Sequence, residues 1–422
     1  MSEPPSSQSE QRGYVGPQPE VNIGTLGHVD NGKSTLVQAL TGIWTSRHSE
    51  ELRRGITIRI GYADAAFYKC TKCTPPGCYT TRSSCPEDGS EAKLLRAVSF
   101  VDCPGHHSLM VTMLSGASLM DGALFVLASD AKCPQAQDRE HLLAAEIAGL
   151  KNLVIVQNKI DIVDQKRAMD SYKEIKDFVK KTIAEDAPIV PVSAQHGTNI
   201  DVLIEAIEEN IPTPKRDIEA PAKMFVLRSF DVNKPGTEPE QLLGGVIGGS
   251  IAQGALHLDE EIEIKPGVRI ESGGKTAYES IQTTVMSLRA GGTSVKEARS
   301  GGLVAVGTDL DPSMTRSDSL VGNVVGRPGS LPEMTENMTL DVHLFERVVG
   351  TEGMSRVEKI KTREPLVLNV ATTVTSGVVT SARDDVAEIS LRKAVCIDPS
   401  SKVALSRRIG EGWRLIGYGT IK

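Results

Sequence analysis

The chain has 422 residues, room for about three domains with sizeable cores. Hydrophobic residues make up 39% and charged residues 24% of it, an ordinary globular balance, and no apolar run approaches the ~20 residues of a membrane helix. A net charge of −7 argues against indiscriminate nucleic-acid binding, though not against a local basic patch.

In chain order, Met1–Glu20 is rich in Ser, Pro, Gln and Glu and has no apolar signal-peptide segment. It reads as a disordered tail, and the chain is expected to be cytoplasmic. Val21–Gly24 is a short apolar strand. It leads into Gly27-His-Val-Asp-Asn-Gly-Lys-Ser-Thr35, in which Gly27, Gly32, Lys33 and Ser34 spell G-x-x-x-x-G-K-S. A loop of that spacing between a strand and a helix wraps its backbone N–H groups around a di- or triphosphate. Lys33 then meets the β and γ phosphates, Ser34 ligates Mg²⁺, Thr35 is a further nucleotide-binding candidate, and the run Leu36–Leu40 starts a helix whose dipole adds to the anion site. Asp30 and Asn31 lie within the wrapping segment.

Glu51–Ile58 follows the first predicted helix and offers Thr57 before an apolar strand. Its hydroxyl can reach Mg²⁺ and its N–H a γ-phosphate, so it can sense a triphosphate. Four of the seven cysteines then fall between positions 70 and 85. Without a secretory signal such a cluster points to metal rather than disulfides. Cys70-x-x-Cys73 is half of a zinc knuckle. Cys78 and Cys85 could complete a Cys₄ site, or Asp88 of Cys85-Pro-Glu-Asp88 could take the last position.

Val98–His106 is a buried-type strand ending in D-x-x-G. Asp102 is placed to hold Mg²⁺ through its water shell, the Gly105 N–H to touch the γ-phosphate, and His106 to orient the attacking water. Gly122–Ala128 lacks alternation and is expected to be buried on both faces. Leu153–Asp161 ends in N-K-x-D. The Asp161 carboxylate can accept from N1–H and the 2-amino group of guanine, the Asn158 amide can meet N7 and O6, and the Lys159 stem can lie over the ring. Adenine cannot satisfy that pairing, and buried polar groups left unpaired reject it. Ser193-Ala194-Gln195 offers backbone N–H groups to O6. Met169, Tyr172, Ile175, Phe178, Val179 and Ile183 recur at helical spacing and are expected to face the core. Five motifs in order, each at a strand end, specify a doubly wound α/β P-loop GTPase domain over residues 21–214, with a Cys-rich insert at 69–88.

Beyond Pro212 the texture changes to short β-type runs separated by Gly, Pro and Asp. They are expected to form one barrel over 215–332 and a second over 333–422, with a break near Arg327–Pro332. Five basic residues against one acid mark Lys402–Lys422, which suits a solvated surface and an RNA contact about equally.

With these motifs assembled, the chain resembles the gamma subunit of archaeal and eukaryotic translation initiation factor 2, within the elongation-factor-Tu-like GTPases. Carrying the resemblance are the stretches at 27–35, 53–58, 102–106, 158–161 and 193–195. Outside the nucleotide site Leu109–Gly116, Arg228–Gly236 and Gly244–Ser250 carry it too, as does a knuckle placed before D-x-x-G. It covers nearly all of residues 20–422.

The resemblance implies a protein that, loaded with GTP, binds initiator methionyl-tRNA and forms the core of a trimer with alpha and beta subunits. That trimer delivers the tRNA to the small ribosomal subunit with its mRNA, and hydrolysis loosens the grip. It further implies a second Mg²⁺ near Asp30 and Gly55, and an apolar gate of Val29 and Ile56 beside His106. Asn31 departs from the usual histidine, and Asp88 with the extra Cys78 departs from the second C-x-x-C. A specialised elongation factor for another aminoacyl-tRNA and a regulatory GTPase subunit of a sulfate adenylyltransferase remain alternatives, as does a nucleotide that is only structural.

Overall fold

The computed structural model describes residues 14–45, 57, 60–105, 110–272, 275–348, 356–399, 401–410 and 412–422. The expectations for Gly55, Ile56 and His106 fall outside them.

The first body is a seven-stranded sheet built from β1 (Val21–Leu26), β2 (Gly61–Lys69), β3 (Tyr79–Thr80), β4 (Lys93–Asp102), β5 (Gly122–Ala128), β6 (Leu153–Asn158) and β7 (Ile189–Pro191), in the order β3-β2-β4-β1-β5-β6-β7. From β4 to β7 the pairing is parallel, while β2 and β3 run antiparallel at one edge. Every residue of β1, β5 and β6 is buried, as expected of strands covered on both faces; β5 is apolar throughout, while the buried polar side chains of β1 and β6, Asn22, Thr25, Gln157 and Asn158, are hydrogen-bonded. Alternate side chains serve opposite layers. Leu124, Val126, Val154 and Val156 pack with helices α1 (Lys33–Thr41) and α5 (Ile200–Asn210). Phe125, Leu127, Leu153 and Ile155 pack with α2 (Met110–Ala117), α3 (Ala136–Ile147) and α4 (Gln165–Val179). All the phosphate- and base-directed motifs leave the carboxyl ends of β1, β4, β6 and β7, where an open parallel sheet places its ligand.

The second body comprises β8 (Lys223–Phe230), β9 (Val246–Gln253), β10 (Ala255–His257), β11 (Glu261–Ser272), β12 (Lys275–Ala290), β13 (Thr293–Val295), β14 (Glu297–Arg299), β15 (Val304–Thr308) and β16 (Val324–Gly326). Its strands run β11-β16-β8-β9-β15-β12, and pairing of β11 with β12 closes the ring. The third body is a closed six-stranded barrel, β17-β20-β19-β18-β21-β22, made of β17 (Met334–Leu344), β18 (Pro365–Val370), β19 (Thr373–Arg383), β20 (Val386–Cys396), β21 (Lys402–Ile409) and β22 (Gly412–Ile421). Closure leaves no bare sheet edge in either ring.

Polar contacts tie the bodies together. Arg216 donates to both carboxylate oxygens of Asp121 (2.9 and 2.7 Å) and to the Glu20 carbonyl, which fastens the connecting segment to the nucleotide-type sheet. The Asn22 amide donates to Ser250 of β9. Asn369 of β18 donates to Val111 and Ser115 of α2. Ala404 and Leu415 of the third body enter the same apolar cluster as α2, α3 and α4.

Two expectations need correcting. Residues 14–20 are not a free tail. Gly16 donates to the Gly291 carbonyl, the Gln18 side-chain amide spans Arg299 and Gly301, and Glu20 donates to Ala97, so two backbone N–H groups and one side-chain amide tie the segment to two bodies. On α4, Ile175 and Val179 are buried as expected, but Met169 is 53% and Tyr172 37% exposed. Ile175 and Val179 are a turn apart on one stripe, and that stripe is narrower than the full set of apolar positions.

Candidate nucleotide site

The phosphate-type loop is shaped by glycines at two places. Gly27 has φ +129°, and a Cβ there would stand 2.1 Å from the Val126 carbonyl. Gly32 has φ +88° and backs onto Asn158, whose Nδ2 would be 2.4 Å from an added Cβ. Gly32 caps α1 without any side-chain bond, so the first-turn N–H groups of Lys33, Ser34 and Thr35 keep no internal side-chain acceptor. Lys33 is buried and donates to the carbonyls of Gly27 (2.8 Å) and His28 (2.7 Å). Burial lowers its pKa, opposed by the carboxylates of Asp102 and Asp138.

Three predicted side chains converge beside this loop. The Ser34 hydroxyl lies 3.0 Å from that of Thr57 and donates to Asp102 Oδ2 at 2.6 Å. Two oxygens 3.0 Å apart match neighbouring vertices of an octahedron with bonds of about 2.1 Å, so the donor set fits Mg²⁺. Asp102 is fully buried and is also held by Thr25 (2.9 Å) and Thr45 (2.5 Å), two residues that carry no motif and that sequence reasoning missed. Gly105 presses on the loop: a Cβ there would be 2.4 Å from Lys33 Nζ and 2.6 Å from the Val29 nitrogen. Asp30 takes a left-handed conformation and is exposed; its partner in the expected second Mg²⁺ site, Gly55, lies outside the described residues.

The base-directed segments meet at the same sheet end. The Asn158 amide donates to the Asn31 carbonyl (2.9 Å) and its oxygen accepts from the Ala194 N–H (3.1 Å). This side chain, expected to meet the base, thus also splices the phosphate loop to the 193–195 loop, with one N–H left over. Lys159, at φ 62°, reaches Asp130 at 3.4 Å. Asp161 is held below the usual carboxylate range, chiefly by the Ser193 hydroxyl, and lies 3.6 Å from His196. Ser193 and Ala194 are buried and Gln195 is exposed.

Behind the loop stands a layer that no motif announces. The Gly27 N–H donates to His141 Nδ1 (2.9 Å), and the His28 N–H donates to Asp138 Oδ1 (2.9 Å). Asn31, at the position of a more usual histidine, donates to the Val126 carbonyl (2.8 Å) and to Asp138 (3.2 Å). Burial, with the Lys33 charge nearby, pushes His141 well below the ordinary histidine range. It is therefore a neutral imidazole with Nδ1 as acceptor.

In the insert, the ligand atoms of Cys70, Cys73, Cys85 and Asp88 all lie within 4.8 Å of one another, with the Cys73 and Cys85 sulfurs 3.4 Å apart. That spacing and donor set fit a tetrahedral Zn²⁺. Ser90 joins Asp88 (2.6 Å) to Cys70 (3.4 Å), which lowers the pKa of both. Cys78 is not part of the group. It is fully buried in one cluster with Cys70, Cys73, Cys85 and Tyr79, and its backbone carbonyl accepts from Cys70, so it packs behind the group and supports the turn. In the C-terminal stretch, Arg407 is paired with Glu364 and Arg414 with Glu140, so two of its five basic residues are committed inside the fold.

Comparison with known proteins agrees with this geometry. The family described as "Elongation factor Tu GTP binding domain" matches residues 18–213, and "Initiation factor eIF2 gamma, C terminal" matches residues 336–421. Translation initiation factor 2 subunit gamma of Methanothermobacter thermautotrophicus is 58% identical over 405 residues, 96% of this chain and 99% of that protein. The protein of the same name from Archaeoglobus fulgidus is 58% identical over 406 residues, 96% of this chain and 95% of its own. Among solved structures, a bacterial selenocysteine-specific elongation factor superposes with a TM-score of 0.71 at 22% identity, over 97% of this chain and 58% of its own. Elongation factor SelB of Methanococcus maripaludis, with a GTP analogue, gives 0.70 at 19% identity over 96% of this chain and 79% of its own. These two likenesses bear on the fold alone.

Proposed function

Because the chain belongs to the family of translation initiation factor 2 gamma subunits, translational GTPases that bind GTP and hydrolyse it to GDP, we propose that it carries initiator methionyl-tRNA to the small ribosomal subunit. It would do so as the core of a trimer with alpha and beta subunits, releasing the tRNA after hydrolysis. The observation that carries this reading is 58% identity across 96% of the chain to proteins bearing that subunit's name. It favours initiation over a specialised elongation factor or a sulfate adenylyltransferase subunit.

In this reading Lys33 exchanges its two carbonyl partners for β- and γ-phosphate oxygens, and the N–H groups of residues 30–35 wrap the chain of phosphates. Ser34 and Thr57 are the side chains that would hold Mg²⁺, with Asp102 acting through its water shell and Asp30 and Gly55 at a second position. When bound, Mg²⁺ neutralises charge on the β- and γ-phosphate oxygens. Thr57 and Gly105 close on the γ-phosphate and thereby report it. His106 orients the water whose oxygen forms the new bond to phosphorus as the bridging oxygen leaves with GDP, and Val29 and Ile56 flank it. Asp161 selects guanine, Asn158 and the loop 193–195 complete the base pocket, and Lys159 lies over the ring. Cys70, Cys73, Cys85 and Asp88 would hold Zn²⁺ as a clasp on the insert.

Filter binding of initiator and elongator methionyl-tRNA, with a GTP analogue or GDP and with the partner subunits added, tests the proposal. Tight binding of the initiator alone, with the GTP analogue alone, is expected; equal binding of both tRNAs or of neither overturns it.

A further inference from the structure

Helix α3 stands between the phosphate loop and the third body, and consecutive polar side chains on it face both. Asp138 and His141 accept the N–H groups of His28 and Gly27. Glu140 is 1% exposed and accepts from Arg414 of β22 at 3.0 Å. Its other carboxylate oxygen is buried and has no partner, so Arg414 is the one group compensating it among the described residues. Leu142, Ala144 and Ala145 of the same helix share their apolar cluster with Ala404 and Leu415 of the third body.

The two residues whose N–H groups α3 holds, Gly27 and His28, are also the ones whose carbonyls hold Lys33, and the Gly27–His28 peptide unit is gripped from both sides. Their N–H groups point to the helix and their oxygens to the ammonium that would serve the β- and γ-phosphates. Asp138 cannot follow the loop independently, because its second oxygen accepts from Gln135 N–H (2.8 Å) in the capping box of α3. The loop therefore rides with the helix, and the helix is pinned at its other side by a buried charge pair. We infer that Asp138 and His141 are positioning residues that set the rate of nucleotide release, and that the Glu140–Arg414 pair makes this rate depend on how the third body is docked.

The chemistry at His141 makes the inference testable. Only an acceptor at the Nδ1 position serves the Gly27 N–H, and the oxygen of an asparagine can stand there while a leucine cannot. Dissociation of N-methylanthraniloyl-GDP from the full chain, followed by stopped flow in the presence of Mg²⁺, reads the release rate. His141→Leu is expected to accelerate release about tenfold, the effect of one lost buried hydrogen bond, with His141→Asn within about threefold of the unchanged protein. Arg414→Met is expected to accelerate release several-fold. In the double variant with His141→Leu it should add nothing further, since both act through one helix.

Equal acceleration by His141→Leu and His141→Asn, or multiplication of the two effects in the double variant, overturns the inference. If circular dichroism shows that His141→Leu does not fold, the Arg414→Met rate decides alone. An unchanged rate in that variant, with the chain folded, overturns the link to the third body.

Discussion

At the scale of single residues, the site depends on groups that leave no alternative at their positions. Gly32 is the clearest. Its left-handed φ disfavours any side chain, and an added Cβ would stand 2.4 Å from Asn158 Nδ2. Gly32→Ala must displace Asn158, which would uncouple the phosphate loop from the loop at 193–195. We expect GTP and GDP affinity to fall at least about tenfold, by titration calorimetry, because a strained turn and two buried hydrogen bonds fail together. Unchanged affinity in a folded variant would show that the Asn158 splice is dispensable. Asp161 acts differently. Its carboxylate is poised ionised beside Ser193, so Asp161→Ala should leave folding intact while cutting discrimination between GTP and ATP by roughly a hundredfold, measured as competing affinities.

At the scale of an element, the insert between β2 and β4 shows why composition alone could not choose its ligands. Five side chains are candidates, and the turn at Pro75–Tyr79 packs Cys78 behind the other three cysteines and beside Tyr79, outside the group of converging ligand atoms, while Asp88 folds back through Ser90. The proposed Zn²⁺ site is thus one of three thiolates and one carboxylate. Elemental analysis of the purified chain is expected to find one zinc per molecule, retained in Cys78→Ser and lost or much weakened in Cys85→Ser. Asp88→Cys should keep the metal with higher affinity. Loss of zinc from Cys78→Ser would reverse this ligand assignment.

At the scale of the whole molecule, three bodies are held by a few polar clasps as well as by shared apolar surface. The clasp at Asp121 is the most exposed to failure. Burial raises the pKa of this carboxyl, and Arg216, 13% exposed in its side chain, opposes that with two hydrogen bonds. Arg216→Met leaves a buried carboxylate without its cation, so denaturant unfolding should show a loss of about 3 kcal/mol. A variant as stable as the parent would mean that Asp121 finds water or another donor when the segment loosens. The same clasp holds the Glu20 carbonyl, so residues 14–20 and the connector at 215–222 are fastened at one point.

By itself the sequence determined the nucleotide chemistry, because each motif carries its own local geometry: G-x-x-x-x-G-K-S makes a turn that only glycine permits, and N-K-x-D hangs from the end of a strand that opens on the apolar run Leu153–Val156. The unbroken apolar run of β5 likewise dictated two covered faces, and the turn residues beyond Pro212 dictated strands closing on themselves, though several of these strands run longer than the sequence suggested. What only the tertiary structure decided are the partners contributed from afar. Thr25 and Thr45 reach Asp102 across 77 and 57 positions, and His141 reaches Gly27 across 114. The exposed face of α4, the docking of residues 14–20 and the Glu140–Arg414 pair belong to the same class. Each depends on which surfaces the packed bodies bring together. A lone Thr or His in sequence has many bland roles, and burial against a particular partner is what selects one.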